Sequence, residues 1–230
     1  KLNPNINGTH YILSAIKEFS PKTRFYFAAS SEVFGNSIKS PQNEKTPFNP
    51  RSAYGISKVA GFYLTKNYRE AHKLFACSGI LLNHESPRRS ENFVTRKITK
   101  NLSLIIKGLK KKIVLGNLNS KRDWGHSKDY VYAMWKMLQL KKPHDFVIGT
   151  GKLHSVKDFI KIAFGYADLD YKKYIKTNKN LFRPNDRFYL IADSRKAKKI
   201  TKNLSLIIKG LKKKIVLGNL NSKRDWGHSK

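Results

Sequence analysis

Tyr54 and Lys58 stand four residues apart in the string Tyr-Gly-Ile-Ser-Lys, one helical turn, so on a helix the phenol and the ammonium project from the same face. A phenol titrates near pH 10 and is a poor base at neutrality. Lowering it by about three units takes roughly 4 kcal/mol, which an ammonium in a partly desolvated pocket can supply. Upstream, the run Phe25-Tyr26-Phe27-Ala28-Ala29 leads into Ser30-Ser31-Glu32. That places hydroxyls and a carboxylate at the carboxyl end of a strand, where open parallel sheets bind ligands. Each feature alone has a plain structural reading: a Tyr and a Lys spaced by chance, Ser30 capping a turn, Glu32 in water. Cys77 is the single cysteine, which excludes an internal disulfide framework, and no Cys/His cluster has zinc spacing, so no metal is expected. Cys77 and His126 read as structural.

The elements that must position these groups alternate. Apolar spacing predicts helices over residues 5–19, 52–73, 92–109, 127–140 and 155–166, with Ser52 and Ser155 as N-caps. Short apolar or aromatic runs predict strands over residues 24–29, 75–82, 112–115 and 145–148, the second being the near-continuous kind buried on both faces of a parallel sheet. A Pro-bounded loop covers residues 40–50. Strand and helix taking turns argues for an α/β fold with a mainly parallel sheet flanked by helices.

The charge is +32, from 47 Lys plus Arg against 15 Asp plus Glu. Most of the excess is Lys scattered among Asn and Ile rather than an Arg-rich face with interleaved aromatics, so no specific nucleic acid is expected. The longest aliphatic stretches, as at residues 80–82 and 113–115, fall far short of the ~20 residues of a membrane span. Neither a membrane nor a signal peptide is expected, and the lone Cys suits a reducing cytoplasm. Residues 97–128 recur without one change as residues 199–230. Two copies do not make a solenoid, and the second is expected to bind nothing specific through its Lys199 and Arg224.

A Ser at a strand end, some two dozen residues, then Tyr-x-x-x-Lys opening a long helix resembles the short-chain dehydrogenase/reductase pattern. Longer strings narrow the match: Arg24-Phe-Tyr-Phe-Ala-Ala-Ser-Ser-Glu-Val-Phe-Gly35, Thr46-Pro-Phe-Asn-Pro-Arg-Ser-Ala-Tyr-Gly55, Asn83-His-Glu-Ser-Pro-Arg-Arg89, Phe93-Val-Thr-Arg-Lys-Ile98 and Arg122-Asp-Trp-Gly-His126. Together they resemble the GDP-mannose 4,6-dehydratase family over roughly residues 1–198. The Asn83–Arg89 string separates it from related epimerases and other nucleotide-sugar dehydratases.

The resemblance implies a partial Rossmann-like sheet in residues 1–90, a mixed substrate-binding region in residues 91–198, with residues 127–150 returning to the sheet, and a duplicate without function in residues 199–230. It implies a lyase converting GDP-mannose to GDP-4-keto-6-deoxy-mannose with NADP. Tyr54 would take the proton of the sugar O4, Lys58 would hold the phenolate and touch the nicotinamide ribose, and Ser30, where the family usually carries Thr, would bind O4. Glu32 would abstract the C5 proton and help expel water from C6. His84 and Arg89 match cofactor-contacting positions. Asn83, Glu85, Val94, Lys97, Arg122, Arg183 and Asp186 match the substrate side, where Arg offers paired planar donors and Lys a point charge to a diphosphate. The Arg88–Arg89 turn is similar to one that reaches a neighbouring subunit, implying a homo-oligomer, a tetramer in the family.

Two departures carry their own expectations. No Gly-rich turn of the dinucleotide-binding kind occurs in the sequence, so this chain alone is expected to be an inactive fragment. Asp186 stands where the family has Glu. The alternatives are a basic polyanion-binding protein built on the same fold, or a related nucleotide-sugar dehydratase or epimerase.

Overall fold

The computed structural model describes residues 2–182 and 189–201. Its first layer begins with helix α1 (Leu2–Phe19), strand β1 (Phe25–Ser30), a 3-10 turn (Ser31–Val33), helix α2 (Ala53–His72) and strand β2 (Ala76–Leu81). Strand β3 (Asn83–Glu85), helix α3 (Val94–Ile106), strand β4 (Ile113–Leu115), strand β5 (Lys121–His126) and helix α4 (Ser127–Leu138) follow. Strand β6 (Phe146–Ile148), strand β7 (Leu153–Ser155), helix α5 (Val156–Gly165), strand β8 (Ile175–Thr177) and helix α6 (Arg195–Ile200) complete the described chain.

The sheet β1-β2-β6 is parallel throughout. Every residue of β2 is buried, as a central strand with both faces covered requires. Phe27, Ala29, Phe62, Ile80 and Val147 pack on one face, under α2. Cys77, Leu81, Tyr130, Ala133, Met137 and Ile148 pack on the other, under α4. Residues after α4 thus rejoin the first sheet, since β6 lies along β2. Gly61 makes the first packing possible: a Cβ there would lie 2.3 Å from the Phe27 ring and 2.8 Å from the Asn5 carbonyl, so α2 settles directly onto β1 and α1.

A second group, β3-β5-β7, with the pair β4-β8, encloses a separate core of Ile98, Leu102, Ile113, Trp124, Ile160 and Phe164. The caps are as the sequence indicates. Ser52 accepts from the Gly55 N–H at 3.0 Å, and Ser155 forms a reciprocal capping box with Asp158. Helix α3 is shorter than its apolar periodicity predicts, opening at Val94 and closing before Gly108, whose φ of +70° turns the chain into β4. Strands β3, β5, β7 and β8 are additions to the expected set. The original of the repeated block supplies most of α3, β4 and β5, whereas residues 202–230 of the duplicate, Arg224 included, lie outside the described residues. Among the described residues no helix is long and apolar enough to cross a membrane, and no group of His, Cys, Asp or Glu could hold a metal ion.

Candidate active site

The carboxyl end of the first sheet assembles two sets of sequence-nominated residues. Ser30 ends β1 opposite Leu81 in β2, and two residues beyond Leu81 the chain enters β3 at Asn83. Ser30 and the Asn83–Glu85 segment therefore leave the sheet side by side. The Ser30 hydroxyl accepts from the Glu32 N–H at 3.3 Å, capping the 3-10 turn that holds Glu32 exposed.

The first turns of α2 press against that same turn. A Cβ on Gly55 would come within 2.7 Å of the Glu32 carbonyl oxygen, so the residue after Tyr54 brings the two backbones into direct contact. Ser57 donates to the Tyr54 carbonyl at 2.7 Å and accepts from the Asn5 amide at 3.0 Å, which ties the opening of α2 to α1. Lys58 reaches back to β1: its Nζ donates to the Ala28 carbonyl at 2.8 Å and lies 5.7 Å from the centre of the Tyr54 ring and 5.1 Å from that of Phe27. Burial lowers the Lys58 pKa from its ordinary value, because desolvation disfavours the charged ammonium. Tyr54 is 39% exposed. The backbones that carry Tyr54, Lys58 and Glu32 thus meet at the carboxyl end of β1, and the Lys58 ammonium is bonded to the Ala28 carbonyl there.

Strand β3 runs beside β5, pairing Asn83 with Trp124 and Glu85 with His126. His84 donates its Nδ1–H to the Leu82 carbonyl at 3.0 Å and stacks on Tyr130 at 4.8 Å between ring centres, which leaves Nε2 as the ring nitrogen not engaged by that bond. Tyr130 donates to the Asn83 carbonyl at 3.4 Å, and burial, with Asp123, Asp129 and Glu85 nearby, raises its pKa well above the ordinary phenol value, so it serves as a neutral support. Glu85 accepts from the Thr95 hydroxyl at 2.6 Å and pairs with Arg89 at 3.2 Å, whose guanidinium sits 3.4 Å from the centre of the Phe93 ring. Glu85 and Arg89 are therefore bound to each other. Val94 opens α3 and packs on the second core. Lys97 follows one turn later, half-buried, and Arg122 sits on β5 two residues before Trp124, with its Nη1 donating to the Lys121 carbonyl at 2.8 Å. Arg183 and Asp186 lie outside the described residues.

The residue that sequence reasoning missed is Asp123. It is fully buried, and its carboxylate accepts from the Thr150 N–H (2.8 Å), the Thr150 hydroxyl (2.5 Å), the Gly151 N–H (2.9 Å) and the Ala192 N–H (3.0 Å). Through Asp123, β5 is fixed both to the loop after β6 and to the segment before α6. The available signal was its place inside the Arg122–His126 string, where the adjacent Arg122 alone was nominated. His126 has the structural part expected of it, accepting from the Lys128 N–H at 3.2 Å to cap α4.

Comparison with known proteins identifies the family and the fold. A family model described as GDP-mannose 4,6 dehydratase matches residues 1–201. GDP-mannose 4,6 dehydratase 1 of Arabidopsis thaliana is 52% identical over 177 residues, covering 77% of this chain and 49% of that protein. The human GDP-mannose 4,6 dehydratase is 43% identical over 210 residues, covering 83% of this chain and 56% of that protein. The chain spans about half the length of these curated relatives. Among solved structures, RMD from Pseudomonas aeruginosa complexed with NADPH superposes with a TM-score of 0.78 at 18% identity, over 87% of this chain and 67% of that one. dTDP-glucose 4,6-dehydratase from Bacillus anthracis in complex with NAD gives 0.74 at 18% identity, over 94% and 71%. These structures share the α/β fold with its parallel sheet and flanking helices. The match over residues 1–201, together with relatives above half identity, places this chain in the GDP-mannose 4,6-dehydratase family.

Proposed function

We propose that the protein containing this chain dehydrates GDP-mannose to GDP-4-keto-6-deoxy-mannose, and that Ser30, Glu32, Tyr54 and Lys58 perform the proton transfers. The observation that supports this reading is the seating of α2 on the turn holding Glu32, which brings the backbones of Tyr54, Lys58 and Glu32 to the same end of β1. Tyr54, as phenolate, takes the proton from the sugar O4, and the Lys58 ammonium above its ring stabilises that anion. Ser30 exchanges its bond to the Glu32 N–H for one to O4. Once C4 is a ketone, the C5 proton is acidic; Glu32 removes it and delivers a proton to the departing C6 hydroxyl.

The residues present suit one end of a nicotinamide dinucleotide phosphate. Lys58 offers an ammonium to a ribose and His84 its second ring nitrogen, while a Gly-rich phosphate turn is not found among the described residues, so only that end is assigned. Bound there, such a cofactor would supply reversible hydride storage. NADP rather than NAD is the proposal, in keeping with the NADPH-bound structural neighbour. Asn83, Val94, Lys97 and Arg122 would face the nucleotide sugar, with Arg183 and Asp186 carried from the family pattern alone. Glu85 and Arg89 would first have to release each other. A homo-oligomer and a cytoplasmic setting complete the proposal, with exposed Arg88 better placed than Arg89 to reach a neighbouring copy.

The test is conversion of GDP-mannose by the full-length product of the gene, followed by chromatography of the nucleotide sugars. Glu32→Gln is expected to cut product formation by about 10²- to 10⁴-fold, the usual worth of a general base, and to abolish deuterium uptake at C5 from heavy water. Undiminished turnover in that variant removes Glu32 from the reaction, and absence of conversion by the unaltered protein overturns the reading itself.

A further inference from the structure

A cavity of about 550 Å³ opens on the other half of α2, between Phe62–Glu70, the loop at Glu44–Phe48, the segment Pro143–Asp145 and Lys196 of α6. Its size is that of ordinary small-molecule sites. Its lining differs in kind from the carboxyl end of the sheet: the Arg69–Asp145 pair, the rings of Phe48, Phe62 and Tyr63, the carboxylates of Glu44 and Glu70, and Lys45, Lys66 and Lys196 all border it.

Of the three carboxylates of this cavity, Asp145 and Glu44 are committed to the protein, and Glu70 faces Lys66. Asp145 takes both guanidinium nitrogens of Arg69, at 2.8 and 2.7 Å, and the Ser78 N–H at 2.7 Å. Glu44 accepts from the Val147 N–H at 2.8 Å, closing the loop onto β6. The Arg69–Asp145 pair is thereby neutral as a unit and fixed, since Arg69 also donates to the Ala76 carbonyl at 3.0 Å. The cations are less engaged. Lys66 has only Glu70 at 3.9 Å, in a pair that is 44% and 62% exposed and of little worth. Lys196 donates to the Asp145 carbonyl, and that bond leaves its charge uncompensated. Lys45 lies on the rim, with no acceptor for its Nζ among the described residues. The aromatic wall is rigid, with Phe48 edge-on to Phe62 at 4.9 Å and to Tyr63 at 5.9 Å between ring centres.

We infer that this cavity is a second anion site, for a small phosphate-bearing molecule held by Lys45, Lys66 and Lys196 with its remaining part against the Phe48–Tyr63 wall. Phosphate suits the donor set: three lysines border one cavity and offer point charges to an anion, while Arg69 is already taken by Asp145. The site is separate from the one proposed for the nucleotide sugar and does not depend on it. Both share α2, whose first turns carry Tyr54 and Lys58.

Calorimetric titration of the full chain with inorganic pyrophosphate at about 50 mM salt, where screening of partly exposed charges is modest, tests the assignment. The expected result is saturable binding that weakens about tenfold in the double variant Lys45→Gln/Lys66→Gln, the order expected for losing two partly screened charges near the ligand. No binding to the unaltered chain overturns the inference. So does loss confined to Arg122→Gln, which would move the anion to the nucleotide-sugar side. Equal weakening in Lys110→Gln/Lys111→Gln would show that net charge alone attracts the ligand, with the same consequence.

Discussion

Tyr54→Phe is expected to lower turnover of GDP-mannose by the full-length gene product by two to four orders of magnitude, the range general acid–base groups supply. The substitution removes one oxygen and little else. The ring keeps its place below the Lys58 ammonium, the Ser57 hydroxyl still bonds to the residue-54 carbonyl, and Gly55 still rests on the Glu32 backbone. Binding of the nucleotide sugar should therefore persist, and the loss should fall on kcat. A thermal midpoint taken beside the rate separates chemistry from folding, because a ring already 39% exposed contributes little to the core. A rate within about threefold of the unaltered protein would show that the phenol is not the base.

Asp123→Ala should be the most damaging single change to stability, costing about 3–5 kcal/mol, as is usual when a buried polar network loses its charged partner. Three backbone N–H groups and the Thr150 hydroxyl would lose their acceptor at once, and each buried donor left unsatisfied costs roughly 1–3 kcal/mol. Partial collapse and entering water keep the sum below the simple total. With folded domains stable by about 5–15 kcal/mol, the variant is expected to lie near or past its unfolding threshold at 37 °C. Asp123→Asn preserves the shape but turns an NH₂ toward one pair of donors, so it should fall between the two. Urea denaturation of all three forms is the measurement, and a midpoint for Asp123→Ala equal to that of the unaltered chain would show that the carboxylate holds nothing together.

The contrast between Tyr54 and Asp123 shows what the sequence reveals. Period-3.6 and apolar-run signals place α1, α2, α4, α5, β1, β2 and β6, because those elements bury one stripe or both faces within the first layer or, for α5, against the second core. Ser52 and Ser155 declare their helix starts because capping is local chemistry. Strand β5 is hidden for the opposite reason. Its sequence, Lys-Arg-Asp-Trp-Gly-His, is polar, and its central Asp is buried only because donors arrive from residues 150, 151 and 192, far along the chain. Strands β3, β7 and β8 are three residues each, too short for any period to show. At the candidate site, residue types and spacing nominate Tyr54 and Lys58, and family resemblance adds the residues of β3, α3 and β5. Neither discloses that Lys58 bonds to Ala28, or that Glu85 and Arg89 occupy each other, since both facts depend on how separate elements meet.

The central position of β2 gives the molecule an internal reporter. Cys77 is fully buried on that strand; burial first, then the neighbouring Asp145, pushes its thiol up to about 12, with Arg69 opposing. At neutral pH the folded chain then holds roughly one thiolate in 10⁵, against a few per cent once the strand is released to water. A disulfide reagent such as dithionitrobenzoate should therefore modify the chain only as fast as β2 comes loose, so the colour it develops counts openings of the sheet, and in Asp123→Ala that rate should climb without any substrate being added.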